Sequence, residues 1–501
     1  MLRRSFLALL FLSLLLPHCG KKETKAPPAE TLIARIGERT ISLNEFIRRM
    51  EYTPRPPYCR GDDYLHRKIA LNSLIAEKLL ALEAGEQNAL TRTEEFQLYL
   101  QGRKEQAMRQ WQYYEEAYQP VQLDTAEVKA AYEAAGRKYR IAHFTLKDSS
   151  LARQVRQQVQ EQGRAFEEVH LGTGALESIP QREVEWNSPE HPAIHAALYA
   201  KTRAQSEVIG PIAAGDGAYV LMKVLGWTET LPLTDTQQQR QWQQVSERLK
   251  EQKAEARYDQ LIARVMRGKR LDFAPQTFRR LVGIVAPYYL KSNAAKSAAL
   301  QQQLWGAPEN SELLQQMSAK LDALLAEPLF QIDGQLWTVR DFEREVKLHP
   351  LVFRKTSFAA GEFAEQLRLA IVDMVRDRYL TQEAYKKGYD RVPEVQRYTG
   401  MWEDNLLFLY QQNEYLKAHG RQEAFKQDFM KVIATDLNPY VDQLQRKYHA
   451  LIEINTDALE KTPATRIDMV VTQRGVPFPV VVPSFPLITT DHQLDYGRKM
   501  H

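Results

Sequence analysis

An interrupted internal repeat limits what this chain can fold into more than any other feature. Ile36-Gly37-Glu38-Arg39-Thr40-Ile41-Ser42-Leu43-Asn44-Glu45-Phe46 has a counterpart in Ile332-Asp333-Gly334-Gln335-Leu336-Trp337-Thr338-Val339-Arg340-Asp341-Phe342. In both copies a short strand and a glycine-containing turn lead to a hydroxyl residue, Ser42 or Thr338, with an acid three residues on. A hydroxyl there accepts a hydrogen bond from an otherwise orphaned helix N–H, worth about 1 kcal/mol, and the acid suits the helix dipole. Each copy is therefore predicted to open a helix in the same way. Leu71, Leu74, Ile75 and Leu79 then align with Ile371, Met374, Val375 and Tyr379 at a constant offset of 300, and Glu83-Ala84 aligns with Glu383-Ala384. Apolar residues three and four apart predict a helix burying one stripe.

A third block closes each copy: a long helix, then a brief alternating stretch, Leu271-Asp272-Phe273 in the first and Ile452-Glu453-Ile454 in the second, with Phe278 matching Leu459. The offset has by then fallen from 300 to 181, so the first copy holds 119 extra residues between its helical blocks. The insert runs from about Lys138 to Thr228. Tyr139-Arg140-Ile141-Ala142-His143-Phe144 opens it with strand-like residues, and Tyr219 to Val224 closes it in the same manner. Between them lie an apolar helix from Leu151 through Phe166 and Val169, a polar stretch, and a helix from Ala193 to Tyr199. Such an order predicts a compact α/β module. After it, Gln238 to Met266 is rich in Gln, Glu and Lys and reads as a long exposed helix.

Composition narrows the function classes. The chain has 501 residues, 67 Lys plus Arg against 63 Asp plus Glu, and 44% apolar residues. A net charge of +4 over that length builds no basic field of the kind that holds nucleic acid, so no nucleic-acid partner is expected. Mean hydropathy of −0.48 excludes a multi-span membrane protein. No Cys pair, His-Glu-x-x-His or Gly-x-Ser-x-Gly occurs. Glu190-His191 and His195 have helical spacing, but Pro192 puts His191 at or before the helix start and no third ligand is near, so no metal is expected. Gly215-Asp216-Gly217 reads as a hairpin turn rather than a phosphate loop. No cofactor is expected.

At the N-terminus, Arg3 and Arg4 precede an apolar run from Phe6 to Leu16, too short to cross a bilayer as a mature helix, which reads as a secretory h-region. Leu16-Pro17-His18-Cys19-Gly20 then resembles a bacterial lipoprotein cleavage box, with Cys19 as the lipidated residue; His18 stands where small residues are usual. The other reading is an uncleaved or conventionally cleaved signal. Cleavage would remove Arg3 and Arg4, leaving 65 bases against 63 acids, and acyl chains on Cys19 would anchor the chain with no protein segment in the membrane. Gly20 resembles outer-membrane sorting. Residues 1–19 are thus assigned to the signal and box, and 20–31, with Pro27-Pro28, to a tether. With Cys19 acylated, Cys59 is the remaining thiol and no intramolecular disulfide can form.

The capped strand-helix opening, the helix Leu74-Ile75-Ala76-Glu77-Lys78-Leu79-Leu80, the inserted module and the returning helix and strand together resemble the SurA/PrsA/PpiD group of envelope chaperones. That resemblance covers roughly residues 32 to 285, and residues 329 to 460 resemble its helical part alone. It implies a mainly α fold with an inserted α/β, parvulin-like module and a duplicated helical chaperone domain. The domains implied are 32–137 with 229–285 as the first helical domain, 138–228 as the prolyl isomerase module, 286–328 as a helical linker, 329–461 as the second helical domain, and 462–501 as a Pro-rich tail.

Parvulin chemistry follows from the same resemblance. An X-Pro bond crosses a barrier of about 18 to 20 kcal/mol, and its catalysis needs only a dry pocket that stabilises a twisted amide. Active parvulins place two histidines at that pocket. His143 falls on the first; Val220 replaces the second, which argues for a degenerate, structural or peptide-binding module. The nearest equivalents of the proline-pocket residues are Trp186, Ile194 and Leu198, with Tyr219 in the closing hairpin. Read alone, His143 is a half-buried strand histidine.

The tail alternates proline with large apolar residues over Val476-Pro477-Phe478-Pro479-Val480-Val481-Val482-Pro483-Ser484-Phe485-Pro486. Proline there forbids a central strand or a helix. Such a tail either packs in extended form along its own domain or docks a partner or the protein's own client groove. The function implied is a lipid-anchored, periplasm-facing envelope chaperone that binds unfolded or nascent outer-membrane or secreted proteins. Trp111, Tyr113 and Tyr114 are candidate client contacts, or core residues. The alternatives are an active peptidyl-prolyl isomerase and a structural lipoprotein subunit of an export or assembly complex.

Overall fold

The structure is a computed structural model that describes residues 31–173, 178–215, 217–230, 232–290, 319–355, 358–463 and 482–500. The signal, Cys19, most of the tether, part of the linker, Asp216 and residues 464–481 of the tail lie outside the described residues.

In chain order the elements are β1 (Leu32–Ile36), β2 (Arg39–Ser42), α1 (Leu43–Glu51), α2 (Tyr64–Ala84), α3 (Glu94–Tyr113) running into a π-helical turn at Tyr114–Tyr118, and α4 (Thr125–Ala135). The inserted module follows as β3 (Arg137–Leu146), α5 (Ser149–Gln160), α6 (Phe166–Gly172), β4 (Gln181–Val184), α7 (Pro192–Tyr199), β5 (Val208–Ala213) and β6 (Tyr219–Glu229). Then come α8 (Asp235–Val265), β7 (Leu271–Phe273), α9 (Pro275–Tyr289), β8 (Pro328–Ile332), β9 (Gln335–Thr338), α10 (Val339–Leu348), α11 (Phe363–Lys386) and α12 (Pro393–Ala418). The last elements are α13 (Gln422–Gln427), α14 (Phe429–Val432), α15 (Asn438–Tyr448), β10 (Ile452–Ile454), α16 (Thr456–Lys461) and β11 (Arg498–Lys499). The chain is mainly helical with small sheets, and among the described residues no helix is long and apolar enough to cross a membrane.

Both hairpins deliver the capped helix that the residue pattern predicts. Ser42 Oγ accepts from Glu45 N at 3.0 Å, and Thr338 with Asp341 forms a reciprocal capping box. In the second hairpin Asp333 and Gly334 both take positive φ, the conformation a two-residue turn needs to match strand twist.

Two compact units form. Within the described residues one takes 31–79, 424–463 and 484–500, and the other takes 80–423 with 482–483. In the first, one sheet has the order β11-β10-β1-β2, with Ala34 opposite Ile454 and Ile36 opposite Ile452. In the second, a sheet β7-β8-β9 pairs Leu271 with Ile332 and Phe273 with Phe330. Here the structure differs from the sequence reading. The closing strand of each repeat block pairs with the other block's hairpin, so residues 271–273 belong with 328–338, and residues 32–42 belong with 452–454. A three-residue strand has too little of its own to pair for; it joins whichever hairpin edge its preceding helix brings it to, and that is decided by packing. Phe273 meets Phe278 and Phe330, and Phe330 stacks on Trp337, while Ile452 and Ile454 bury their side chains.

The first unit carries an unusual polar interior. Arg49 and Glu77 are both fully buried and joined by two hydrogen bonds of 2.8 and 2.6 Å. Lys78 reaches Glu45 at 2.9 Å. Burial raises the Glu45 carboxyl above its usual value even though Lys78 and Arg49 pull it down. Ser484–Met500 packs into this unit without regular structure until β11 pairs in parallel with β10. Phe485, Ile488 and Thr489 are buried. Residues 484–500 thus lie in extended form on their own unit, while residues 476–481 fall outside the described residues.

In the second unit the module is a four-stranded antiparallel sheet of order β4-β3-β6-β5. Its ends agree with the predicted Lys138 and Thr228 to within one residue. The predicted single helix from Leu151 to Val169 is two helices, because Gly163 takes a left-handed φ of 65° after α5 ends. Strand β4 lies in what the sequence reading took as a polar stretch.

Candidate functional site

The sheet of the module has two packed faces. On one, Tyr139, Ile141, Val220, Met222 and Val224 join Trp186, Ile194, Leu198 and Tyr199; on the other, Phe144, Leu146 and Leu221 meet Val155, Phe166 and Val169. Alternation along β3 puts His143 on the first face. It pairs with Met222, and Val220 is opposite Thr145, so Val220 is a diagonal cross-strand neighbour of His143. The residues that the resemblance sets together are therefore together, yet neither Val220 nor Met222 can share a proton with the imidazole.

His143 is half-buried, and its backbone N–H donates to Pro180 O at 3.0 Å. Burial lowers its pKa, the Arg182 guanidinium adds to that, and Glu190 opposes. Arg182 is itself held by Glu190 at 2.7 Å. The imidazole is thus kept neutral near pH 7.

Trp186, Ile194 and Leu198 are 6%, 4% and 0% exposed. Side chains so buried touch a solvent-borne ligand only by moving, so in this conformation they form core rather than an open proline pocket. Tyr219 packs against the opposite face and cannot join them. Around Trp186 the interior is polar as well as aromatic. The fully buried His195 has its Nε2 2.9 Å from Trp186 O and its Nδ1 3.2 Å from Gln252 Nε2. Since a carbonyl only accepts, Nε2 carries the proton, and the ring is stacked on Tyr199 at 4.7 Å. His191 instead caps α7, its Nδ1 accepting from Ala193 N. Among the described residues no three His, Cys, Asp or Glu side chains converge as a metal site.

A second feature lies where α3 becomes the π-turn. Trp111, Tyr114 and Tyr118 follow i, i+3, i+7 spacing and form a continuous run of rings, with centroids 5.5 Å apart for Trp111–Tyr114 and 6.1 Å for Tyr114–Tyr118. The Lys250 ammonium of α8 lies 4.2 Å from the Tyr118 ring centroid. Tyr114 is 43% exposed. Tyr113, half-buried, meets the buried Tyr258 edge-on at 5.3 Å and also lies 6.5 Å from the Tyr118 ring. Of the three aromatics singled out in the sequence, then, Tyr114 is exposed, Trp111 and Tyr113 are half-buried, and it is Tyr113 that meets Tyr258. Tyr118 was missed, although its spacing from Trp111 was there to read; Lys250 comes from another helix and left no such signal.

No family model matches the chain, and no curated protein matches it.

Proposed function

We propose that this protein is a lipid-anchored cell-envelope chaperone of the SurA/PrsA/PpiD kind, holding unfolded outer-membrane or secreted chains at the periplasmic face of the membrane. On this reading the two hairpin-and-helix blocks are duplicated copies, and the module in 138–228 is a parvulin relative that has lost its isomerase chemistry. The observation that carries it is the run of rings at Trp111, Tyr114 and Tyr118, a partly exposed aromatic surface in the same unit as a module whose histidine faces Met222 and Val220 across the strands. Aromatic faces of this size bind apolar side chains of many sequences without a deep pocket, and slow aggregation without nucleotide.

The test uses the soluble form lacking residues 1–19. It suppresses aggregation of several unrelated unfolded proteins at substoichiometric to equimolar ratios, with affinities in the micromolar range. Stoichiometric co-purification with one partner and no suppression would replace this reading by that of a fixed subunit of an assembly. A protease-coupled assay on an X-Pro peptide gives a rate at background.

A further inference from the structure

The main chain of Ser484–Asp491 has an arrangement that a core segment does not usually have. Its polar groups are met by side chains of the rest of the first unit. Arg49 Nη2 donates to Ser484 O at 2.9 Å, Asn72 Nδ2 donates to Asp491 O at 2.8 Å, and Asn438 Oδ1 accepts from Thr490 N at 3.1 Å. Ser73 Oγ lies 3.4 Å from Thr489 O. Arg49 and Asn72 are also held from outside the segment, whereas the Asn438 amide is bonded by the segment, accepting from Thr489 Oγ1 at 2.8 Å and donating to Thr490 Oγ1 at 3.0 Å. Glu77 holds the Arg49 guanidinium by two bonds, and Gln445 Nε2 donates to Asn72 Oδ1 at 2.9 Å. Phe485 and Ile488, three residues apart, insert their side chains, and Pro486 between them is buried.

Donors fixed in advance, aimed at main-chain carbonyls, with pockets for spaced apolar side chains, are what recognition of an extended polypeptide requires. Main-chain carbonyls are common to every polypeptide, so such a track is tolerant of sequence. We infer that the face built by Arg49, Asn72, Ser73 and Asn438 is a binding track for extended, proline-containing apolar segments of unfolded polypeptide, and that the chain's own Ser484–Asp491 fills it as a self-ligand. This rests on the chaperone reading and names the mode of one of its binding sites.

Because the tail is covalently attached, a client competes with an effective concentration near the millimolar range. Against a site of ~10 μM intrinsic affinity, the tail weakens client binding about 100-fold.

The experiment compares the full chain with one ending at residue 483, using a fluorescent synthetic peptide of residues 484–501 as probe. The shortened chain binds the probe one to one, the full chain binds it about 100-fold more weakly, and an unlabelled, unrelated proline- and aromatic-containing peptide displaces the probe. Absence of probe binding by the folded shortened chain, or failure of unrelated peptides to compete, overturns the inference. Should the shortened chain lose its fold, the full chain carrying Phe485→Ala and Ile488→Ala decides: uptake of the unrelated peptide rises about tenfold, and unchanged uptake overturns it. Aggregation suppression by the full chain with no competition here leaves the chaperone reading standing and removes only the track. Competition without suppression does the reverse.

Discussion

Phe273 of β7 is the register partner of Phe330 of β8, and their rings meet edge-on with centroids 5.8 Å apart. The contact joins a strand from the first repeat block to the hairpin of the second. Phe273→Ala should therefore cost roughly 2 to 3 kcal/mol, somewhat below the loss for a fully buried Phe, and should act on one sheet alone. Hydrogen exchange is the readout: amides of 328–338 lose protection, while those of 32–42 keep theirs. Loss of protection at 32–42 instead would contradict the observed pairing.

Glu77→Gln removes the carboxylate that makes two hydrogen bonds to the buried Arg49 guanidinium. Breaking such a pair costs about 3 to 5 kcal/mol, whereas replacing both partners by apolar residues of similar size is far milder. The double variant Arg49→Met/Glu77→Leu should thus be more stable than Glu77→Gln. Slow-exchanging amides of β1 and α2 report it.

At Gly102, α3 passes close against the backbone of Leu348 at the end of α10. A Cβ there would sit 2.0 Å from Leu348 O and 3.1 Å from its carbonyl carbon. Backbone cannot swing aside as a side chain can. Gly102→Ala should destabilise the second unit by about 1 to 3 kcal/mol, seen as a lowered thermal midpoint in the fluorescence of Trp337 and Trp402.

The same junction carries a pH dependence. Burial pushes the Glu105 carboxyl up, but hydrogen bonds from His349 Nε2 at 2.6 Å, Gln101 Nε2 at 2.9 Å and Tyr385 OH at 3.1 Å outweigh it and hold the carboxyl below 4.5. Glu345 lies 4.0 Å from the same His349 nitrogen and is bridged to Arg378. A depressed carboxyl binds its proton more weakly folded than unfolded, so its stabilisation is present above pH 4.5 and is lost as pH falls through the folded value. Glu105→Gln should flatten that acid limb of the stability curve. An unchanged limb would assign the loss to other carboxylates.

Trp111→Ala with Tyr114→Ala should weaken binding of unfolded clients by about tenfold, at near 1 kcal/mol per ring, and cost less stability than Tyr113→Ala, because Tyr114 is exposed and Trp111 half-buried whereas Tyr113 packs on the buried Tyr258. Tyr113→Ala should do the opposite, since its ring packs on Tyr258. Aggregation-suppression titrations and urea unfolding on each variant separate the two roles.

Much of this protein is written locally in the chain. Ser42 and Thr338 start helices because a hydroxyl oxygen within reach of the third N–H is a property of a few adjacent residues. The stripe from Leu71 to Leu79 and the module ends near Lys138 and Thr228 were legible for the same reason: hydrophobic period and strand alternation are short-range. His143 and Val220 were set together by the family resemblance, and the register of β3 on β6 makes them diagonal neighbours. The packed structure decided what depends on atoms far apart in sequence. Residues 271–273 and 452–454 carry equal claims to either hairpin, and burial of Phe273 beside Phe330 and of Ile452 beside Ile36 settles which is made. Trp186, Ile194 and Leu198 were read as pocket walls, but whether an apolar side chain lines a cavity or fills it depends on what α7 and α8 bring against it. The seat of Ser484–Asp491 on Arg49, Asn72 and Asn438 is of the same kind, because a proline-rich segment pairs with no neighbouring strand and must find its hydrogen bonds wherever the rest of the fold has already fixed them.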